Sequence, residues 1–272
     1  MPKSVGVASS IVIEQPFKDA LINQLNPDVA GGVTPTYATD TNVGNWVTDW
    51  NNAHPKDLIV TLGGRIAYEA AVAASSPIAQ PKPFLSLMGA APDTLPKGCV
   101  GGVSLESYAH NLERVKHLIA KGYNSISLFY NQNAPASIRD DELSNWKSLA
   151  KYYSQVVPTP VAAMGNFATT VPTITAGAVI VSPDPSFNMS KDALVQAFND
   201  RDNQHHDLYV CYPLHDHANG ATNPNHGSAT LLGPKLERAI KLLGAIAGFY
   251  LTDPDHLKPG FLQMPVGHPK EL

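Results

Sequence analysis

Several stretches of this chain place small or polar residues directly after an apolar run, where backbone and side chains can meet a ligand. Ser9 and Ser10 follow Val5-Gly6-Val7-Ala8. A hydroxyl and a backbone N–H there suit a carboxylate or phosphate, or else cap a helix. Gly63-Gly64-Arg65 follows the run DLIVTL at 57–62. The two glycines let a ligand approach the backbone, and Arg65 offers a forked contact to a carboxylate. The competing reading is a tight strand-to-helix turn with Arg65 in solvent. Tyr130-Asn131-Gln132 closes the run SISLFY at 125–130. Asn and Gln both donate and accept, which suits an amide or zwitterion, and Tyr130 adds a flat face with a polar tip. The alternative is a turn with a packed Tyr. In Ser182-Pro183-Asp184-Pro185, Asp184 can hold a ligand amine, or cap a loop stiffened by two prolines. Met88-Gly89 and Tyr212-Pro213 end two further runs. Met88 and Met164 face a ligand or fill a core.

Other chemistries lack their residues. His205, His206, His215, His217 and His226 crowd one region, and His215-Asp216-His217 with His226 could ligate a metal. Gly, Asn and Pro surround them, with no helical HExxH spacing and no Cys pair, so a solvated polar loop is the expectation. No Gly-x-Ser-x-Gly elbow occurs; Gly227-Ser228 lacks the following glycine. No GxGxxG fingerprint follows the first apolar run, and Gly63-Gly64 lacks the Gly-Lys-Ser/Thr ending of a phosphate loop. No cofactor is expected.

The elements that must position these residues alternate regularly. Strands are expected at 4–8, 33–37 (weak), 57–62, 83–88, 100–104, 125–130, 155–158 (weak), 178–182 and 207–212, with a short extended piece at 228–232. Helices fill the gaps at 17–25, 43–50, 65–74, 107–121, 138–153, 190–199 and 235–251, with a short one near 171–175. Asp140, Asp141 and Glu142 fall in the expected first turn of their helix, where its dipole favours acids. Ser190 reads as an N-cap, and Pro234 sits at the start of the last helix. The tail from Pro254 reads as partly extended. Continuous apolar strands alternating with helices indicate parallel sheets covered on both faces. The pattern restarts near 101–106, so the fold class is α/β with two doubly wound lobes. In such sheets ligands sit beyond the carboxyl ends of the strands.

Composition supports this and narrows the function. The chain has 272 residues, a net charge of −4, 43% hydrophobic and 15% charged residues. That excludes a disordered chain and, with no basic run, disfavours a nucleic-acid binder. No apolar stretch is long enough for a membrane helix, and no signal peptide stands at the start, so the chain as written is expected in the cytoplasm. Cys99 and Cys211 are too few for a disulfide scaffold; sequence alone leaves a single bridge open, and two buried thiols are expected.

The stretches DLIVTLGGRIAYEA (57–70), SISLFYN (125–131), AVIVSPDPSF (178–187) and residues 227–251 resemble the ABC-transporter substrate-binding family with the type I periplasmic-binding-protein fold. Within it, the chain looks like the branch that binds tryptophan and other aromatic amino acids. The resemblance spans nearly the whole chain through short, loose motifs. It departs after the fourth strand, where the family carries a polar Asp-Pro turn and this chain reads Leu87-Met88-Gly89-Ala90-Ala91-Pro92-Asp93. It implies three crossovers, near Ser104, Ser228 and Thr252. Residues 1–104 and 229–252 would form one lobe, and 105–228 and 253–272 the other. It further implies a binder that closes its lobes over a small organic ligand, an amino acid by family, with an ABC permease as partner and a periplasmic or membrane-tethered location. Two rivals share the two-lobed plan. One is a cytoplasmic small-molecule sensor. The other is a racemase-type enzyme, which would need paired cysteines at matching strand ends, and Cys99 and Cys211 do not stand there.

Overall fold

The computed structural model describes the chain except residues 1–2, 11, 26–28, 30–31, 40–41, 89–90, 93, 106–107, 162–165, 185, 188–189, 206–207, 214–227, 232–235, 265–268 and 272. The chain divides into two units, Met1–Leu105 with Leu236–Met264, and Glu106–Lys235 with Pro265–Leu272.

The first unit holds β1 (Val5–Ser9), α1 (Gln15–Leu25), β2 (Thr36–Thr39), α2 (Val43–Asn52), β3 (Leu58–Leu62), α3 (Gly64–Ser75), β4 (Phe84–Met88) and β5 (Cys99–Ser104). The chain returns to it for α8 (Leu236–Thr252) and β11 (Gly260–Gln263). Its sheet runs β11-β5-β4-β3-β1-β2, and every pairing is parallel. Alternation along the strands sends side chains to two faces. Val5 and Val7 of β1 and Leu58, Val60 and Leu62 of β3 join a core with α1 and α8. Ala8 and Ile59 point the other way, into a core with Val47 and Trp50 of α2 and Ala67 and Tyr68 of α3. Each large side chain so buried contributes roughly 1.5–3 kcal/mol. α8 lies close against α1 because Gly244 and Gly248 offer no side chain. A Cβ at Gly244 would stand 2.7 Å from the Leu21 carbonyl oxygen, and one at Gly248 3.0 Å from that of Leu25.

The second unit repeats the plan with β6 (Ile126–Asn131), β7 (Val156–Val161), β8 (Ala178–Val181), β9 (Tyr209–Tyr212), β10 (Ser228–Leu231) and β12 (Pro269–Glu271). Its helices are α4 (Tyr108–Ala120), α5 (Ala136–Ala150), the short α6 (Phe167–Thr170) and α7 (Lys191–His205). The sheet order is β12-β10-β9-β8-β6-β7, parallel but for the antiparallel β12. The two faces again alternate. Ile126, Leu128, Ala178, Ile180, Tyr209 and Cys211 share a core with Trp146 and Leu149 of α5. Phe129, Val179, Val181, Val210 and Tyr212 share the other with Phe167 and Phe198. Phe129 sits among Phe167, Phe187 and Phe198, with ring centroids 6.3, 5.7 and 5.3 Å away.

The expected fold class stands: α/β, with two doubly wound, mainly parallel sheets. Some details differ. The chain passes between units at 105/106, 235/236 and 264/265, the last two later than the expected positions near 228 and 252. The later positions follow from backbone pairing. β10 bonds to β9 and stays in the second sheet, and β11 bonds to β5 and stays in the first. α5 begins two residues earlier than expected, directly after Pro135, so Asp140, Asp141 and Glu142 fall in its second turn. Val33 forms only an isolated bridge to Lys3, and the strand proper starts at Thr36. Cys99 and Cys211 are both buried free thiols, one in each unit. No helix among the described residues is long and apolar enough to cross a membrane.

Candidate functional site

Both sheets reverse their winding at one place. In the first unit β2 lies to one side of β1 and β3 to the other; in the second, β7 and β8 flank β6 in the same way. Helices leaving two such strands depart to opposite faces, which opens a crevice at the strands' carboxyl ends. The residues at those two ends are therefore the candidate site in each unit.

In the first unit the ends belong to Ser9-Ser10 and Gly63-Gly64. Ser10 is stitched to the neighbouring strand: its N–H donates to the Leu62 carbonyl at 3.0 Å and its hydroxyl to the Gly63 carbonyl at 3.3 Å. Gly63 caps α3 with φ +117°, a backbone that disfavours any side chain. Space forbids one too, since a Cβ there would stand 1.9 Å from the Ser10 Oγ. Gly64, the first residue of α3, also has positive φ. The glycine pair thus makes a tight strand-to-helix turn that packs the start of α3 against Ser10. Ser9 is fully buried. Arg65 pairs along its own helix, with its Nε donating to Glu69 Oε1 at 2.8 Å. Met88 at the end of β4 is 2% exposed and belongs to the core.

In the second unit the strand ends form a connected polar network. Asn131 closes β6 and is 7% exposed. Its Oδ1 accepts from the Asn133 N–H at 2.9 Å, which fixes the amide, and its Nδ2 then donates to the Ser186 hydroxyl at 3.0 Å. Asp184, 3% exposed, follows β8. Its Oδ1 accepts from the Ser186 N–H at 2.8 Å and from the Ser186 hydroxyl as well. An Asp accepting from the backbone two residues on is an Asx turn, so the loop after β8 is pinned by its own side chains. Ser182, beside it, donates its hydroxyl to Glu142 of α5. Tyr130 is buried in the α5 core. Burial raises its phenol above the usual range, Arg139 pulls the other way, and Glu142 adds to the rise. Gln132 is exposed, and its carbonyl accepts from Arg139 Nη1 at 3.4 Å. Tyr212 at the end of β9 is 1% exposed and packs edge-on against Phe198. Its phenol is pushed up by burial. The next residue, Pro213, has its carbonyl held by the buried guanidinium of Arg114 at 3.2 Å.

The structure thus brings Ser10 to Gly63-Gly64 in one unit, and Asn131 to Asp184 in the other. Ser182 adjoins the second group; Arg65, Met88 and Tyr212 are engaged within their own helix or core. Gly89, Met164 and Pro185 lie outside the described residues, as do His206, His215, His217 and His226. Among the described residues no three His, Cys, Asp or Glu side chains gather to hold a metal. Sequence reasoning passed over Ser186 and Glu142. For Ser186 a signal existed, the Asp-x-Ser spacing of 184–186. Glu142 is reached through α5 and carries no local signature.

No family model matches the chain, and no curated protein matches it either. Solved structures do match. An uncharacterized protein from Actinobacillus succinogenes is 12% identical, with 100% of this chain and 98% of that one covered and a TM-score of 0.71. The ABC domain in complex with L-Trp from Streptococcus pneumonia is 14% identical over 98% and 91% of the two chains, with a TM-score of 0.69. A LacI family transcriptional regulator from Enterococcus faecium, with bound ribose, is 12% identical over 99% and 98%, with a TM-score of 0.66. At these identities the likeness shows the fold, which is that of type I periplasmic-binding-protein-like chains.

Proposed function

We propose that this chain is a solute-binding protein. It takes a small organic ligand at the strand ends described above, holds it without converting it, and serves uptake through an ABC permease. An amino acid is the expected ligand class. The observation that carries the reading is the pinned Asn131–Ser186–Asp184 group at the winding reversal of the second sheet. It offers an amide and a carboxylate with fixed orientation, as recognition of a zwitterion or amine requires. The backbone N–H groups of the turn at Gly63-Gly64, at the start of α3, suit the opposite charge. The L-Trp complex among the structural neighbours supports the amino-acid class.

A second reading is a sensor that uses the same strand ends to control a partner. It is favoured by regulators of the same fold, including one with bound ribose. The two readings part on ligand and on partner.

Thermal-shift screening of amino acids, sugars, nucleosides and small carboxylates tests the binder. A ligand at a hundred times its Kd adds about 2.7 kcal/mol to stability. The expected result is saturable stabilisation by an amino acid that is recovered unchanged. Conversion of the ligand would overturn the reading. Stabilisation by a sugar alone, with ligand-dependent capture of a partner other than a permease, would favour the sensor.

A further inference from the structure

Ser186 stands between the two best-placed polar groups of the second unit, Asn131 and Asp184. It begins the short turn after β8 and is half-buried. Its hydroxyl accepts from Asn131 Nδ2 at 3.0 Å and donates to Asp184 Oδ1. Its backbone N–H donates to the same Oδ1 at 2.8 Å. A hydroxyl has one proton to give, so the direction of the chain is set: amide to hydroxyl to carboxylate. Asn131 cannot flip to reverse it, because the Asn133 N–H already holds its Oδ1 at 2.9 Å.

Two consequences follow. Asp184 Oδ1 receives two donors from one residue, which turns Oδ2 into the carboxylate oxygen left for an outside donor. Asn131 spends one amide proton on Ser186 and keeps the other. We infer that Ser186 is a positioning residue that sets the specificity of this end of the site for a ligand bearing a protonated amine, by fixing Asp184 so that Oδ2 receives the amine. The inference rests on the solute-binding reading and narrows it to one chemical class. Charge-assisted bonds are the strong ones, and their strength depends on the acceptor being held in place.

The experiment compares the 272-residue chain with Ser186→Ala and Ser186→Thr. The probes are L-tryptophan, L-leucine and L-glutamine, and for each the deaminated acid of the same carbon skeleton. Affinities are read by calorimetry, and folding by circular dichroism and the unliganded melting temperature. The wild type is expected to prefer an amine-bearing probe over its deaminated partner. Ser186→Ala keeps the backbone N–H bond but frees the carboxylate to swing, and weakens amine-bearing probes about tenfold. The deaminated partners keep their affinity, so the preference collapses. Ser186→Thr retains the hydroxyl and restores the preference. An equal loss for both kinds of probe would overturn the inference, since general loosening of the loop has no reason to sense the amine. An unchanged preference in Ser186→Ala would overturn it as well. If the wild type binds none of the six probes, the amino-acid reading itself falls and takes the inference with it, a result distinct from the other two.

Discussion

Replacing Gly63 by alanine is the sharpest test of how the first unit's strand ends are built. Two separate costs arise. The first is conformational: with φ at +117°, an L-residue meets its own carbonyl, at roughly 1–2 kcal/mol. The second is steric. The new methyl would lie 1.9 Å from Ser10 Oγ, 3.1 Å from its Cβ and 3.2 Å from its backbone N. Rotating the hydroxyl away relieves the worst contact but gives up its 3.3 Å bond to the Gly63 carbonyl, at about 0.5–1 kcal/mol. The backbone of Ser10 cannot retreat freely, because its N–H is tied to Leu62 at 3.0 Å. The sum is a loss of about 1.5–3 kcal/mol. Urea unfolding followed by circular dichroism and by fluorescence measures it, with Trp46 and Trp50 in the first unit and Trp146 in the second. Adding Ser10→Ala removes the hydroxyl and leaves the backbone cost. The double variant should therefore recover about 1 kcal/mol relative to the sum of the single ones. An additive cycle would refute the contact, and a Gly63→Ala chain within about 0.5 kcal/mol of wild type would refute the strained turn.

Three more outcomes are expected. Phe129→Ala empties the space between three other rings and should cost about 3–5 kcal/mol, seen in urea unfolding as an earlier transition of Trp146. Asp57 is worked upward by partial burial, but the Ser4 N–H at 2.7 Å, the Ser4 hydroxyl and the charges of Lys3 and Lys82 outweigh this and hold its carboxyl below the usual range. A depressed folded value stabilises above the unfolded one, near 4, and is lost as pH falls through the folded value. Asp57→Asn should thus cost up to about 1 kcal/mol at pH 7 and flatten the acid limb of the urea midpoint against pH; an unchanged limb would remove Ser4 from the account. Burial pushes the Cys99 thiol up to about 11, and Cys211 is fully buried. A thiol reagent at pH 8 should label the native chain slowly and find two thiols on unfolding; fast native labelling would contradict the cores.

The fold was legible because its signal is periodic. Runs such as DLIVTL and AVIVS are short, β-branched and nearly all apolar, as strands buried on both faces are, and the helices between them carry one apolar face. Tail strands were harder. GFLQ at 260–263 has exposed residues and a glycine start, and takes its strand character from β5 beside it. The same holds for the passages between units, which depend on which strand a segment bonds to rather than on local composition. At the candidate site, sequence marked the strand ends but not their occupancy. Arg65 looks available until its i+4 neighbour, Glu69, is seen to take its Nε–H. Ser186 looks like one more loop serine until Asn131 and Asp184 converge on it across 55 residues of chain.

The tail has a consequence for synthesis. The four residues of β11 finish the edge of one sheet, and the three of β12, six positions later, finish the edge of the other. α8, which covers the first sheet, is also made late. A chain emerging from the ribosome folds its early segments first where it can. Here both sheets wait, open along one edge, until the same short stretch has been translated. A release anywhere before residue 260 leaves both sheets without an edge strand rather than one finished half.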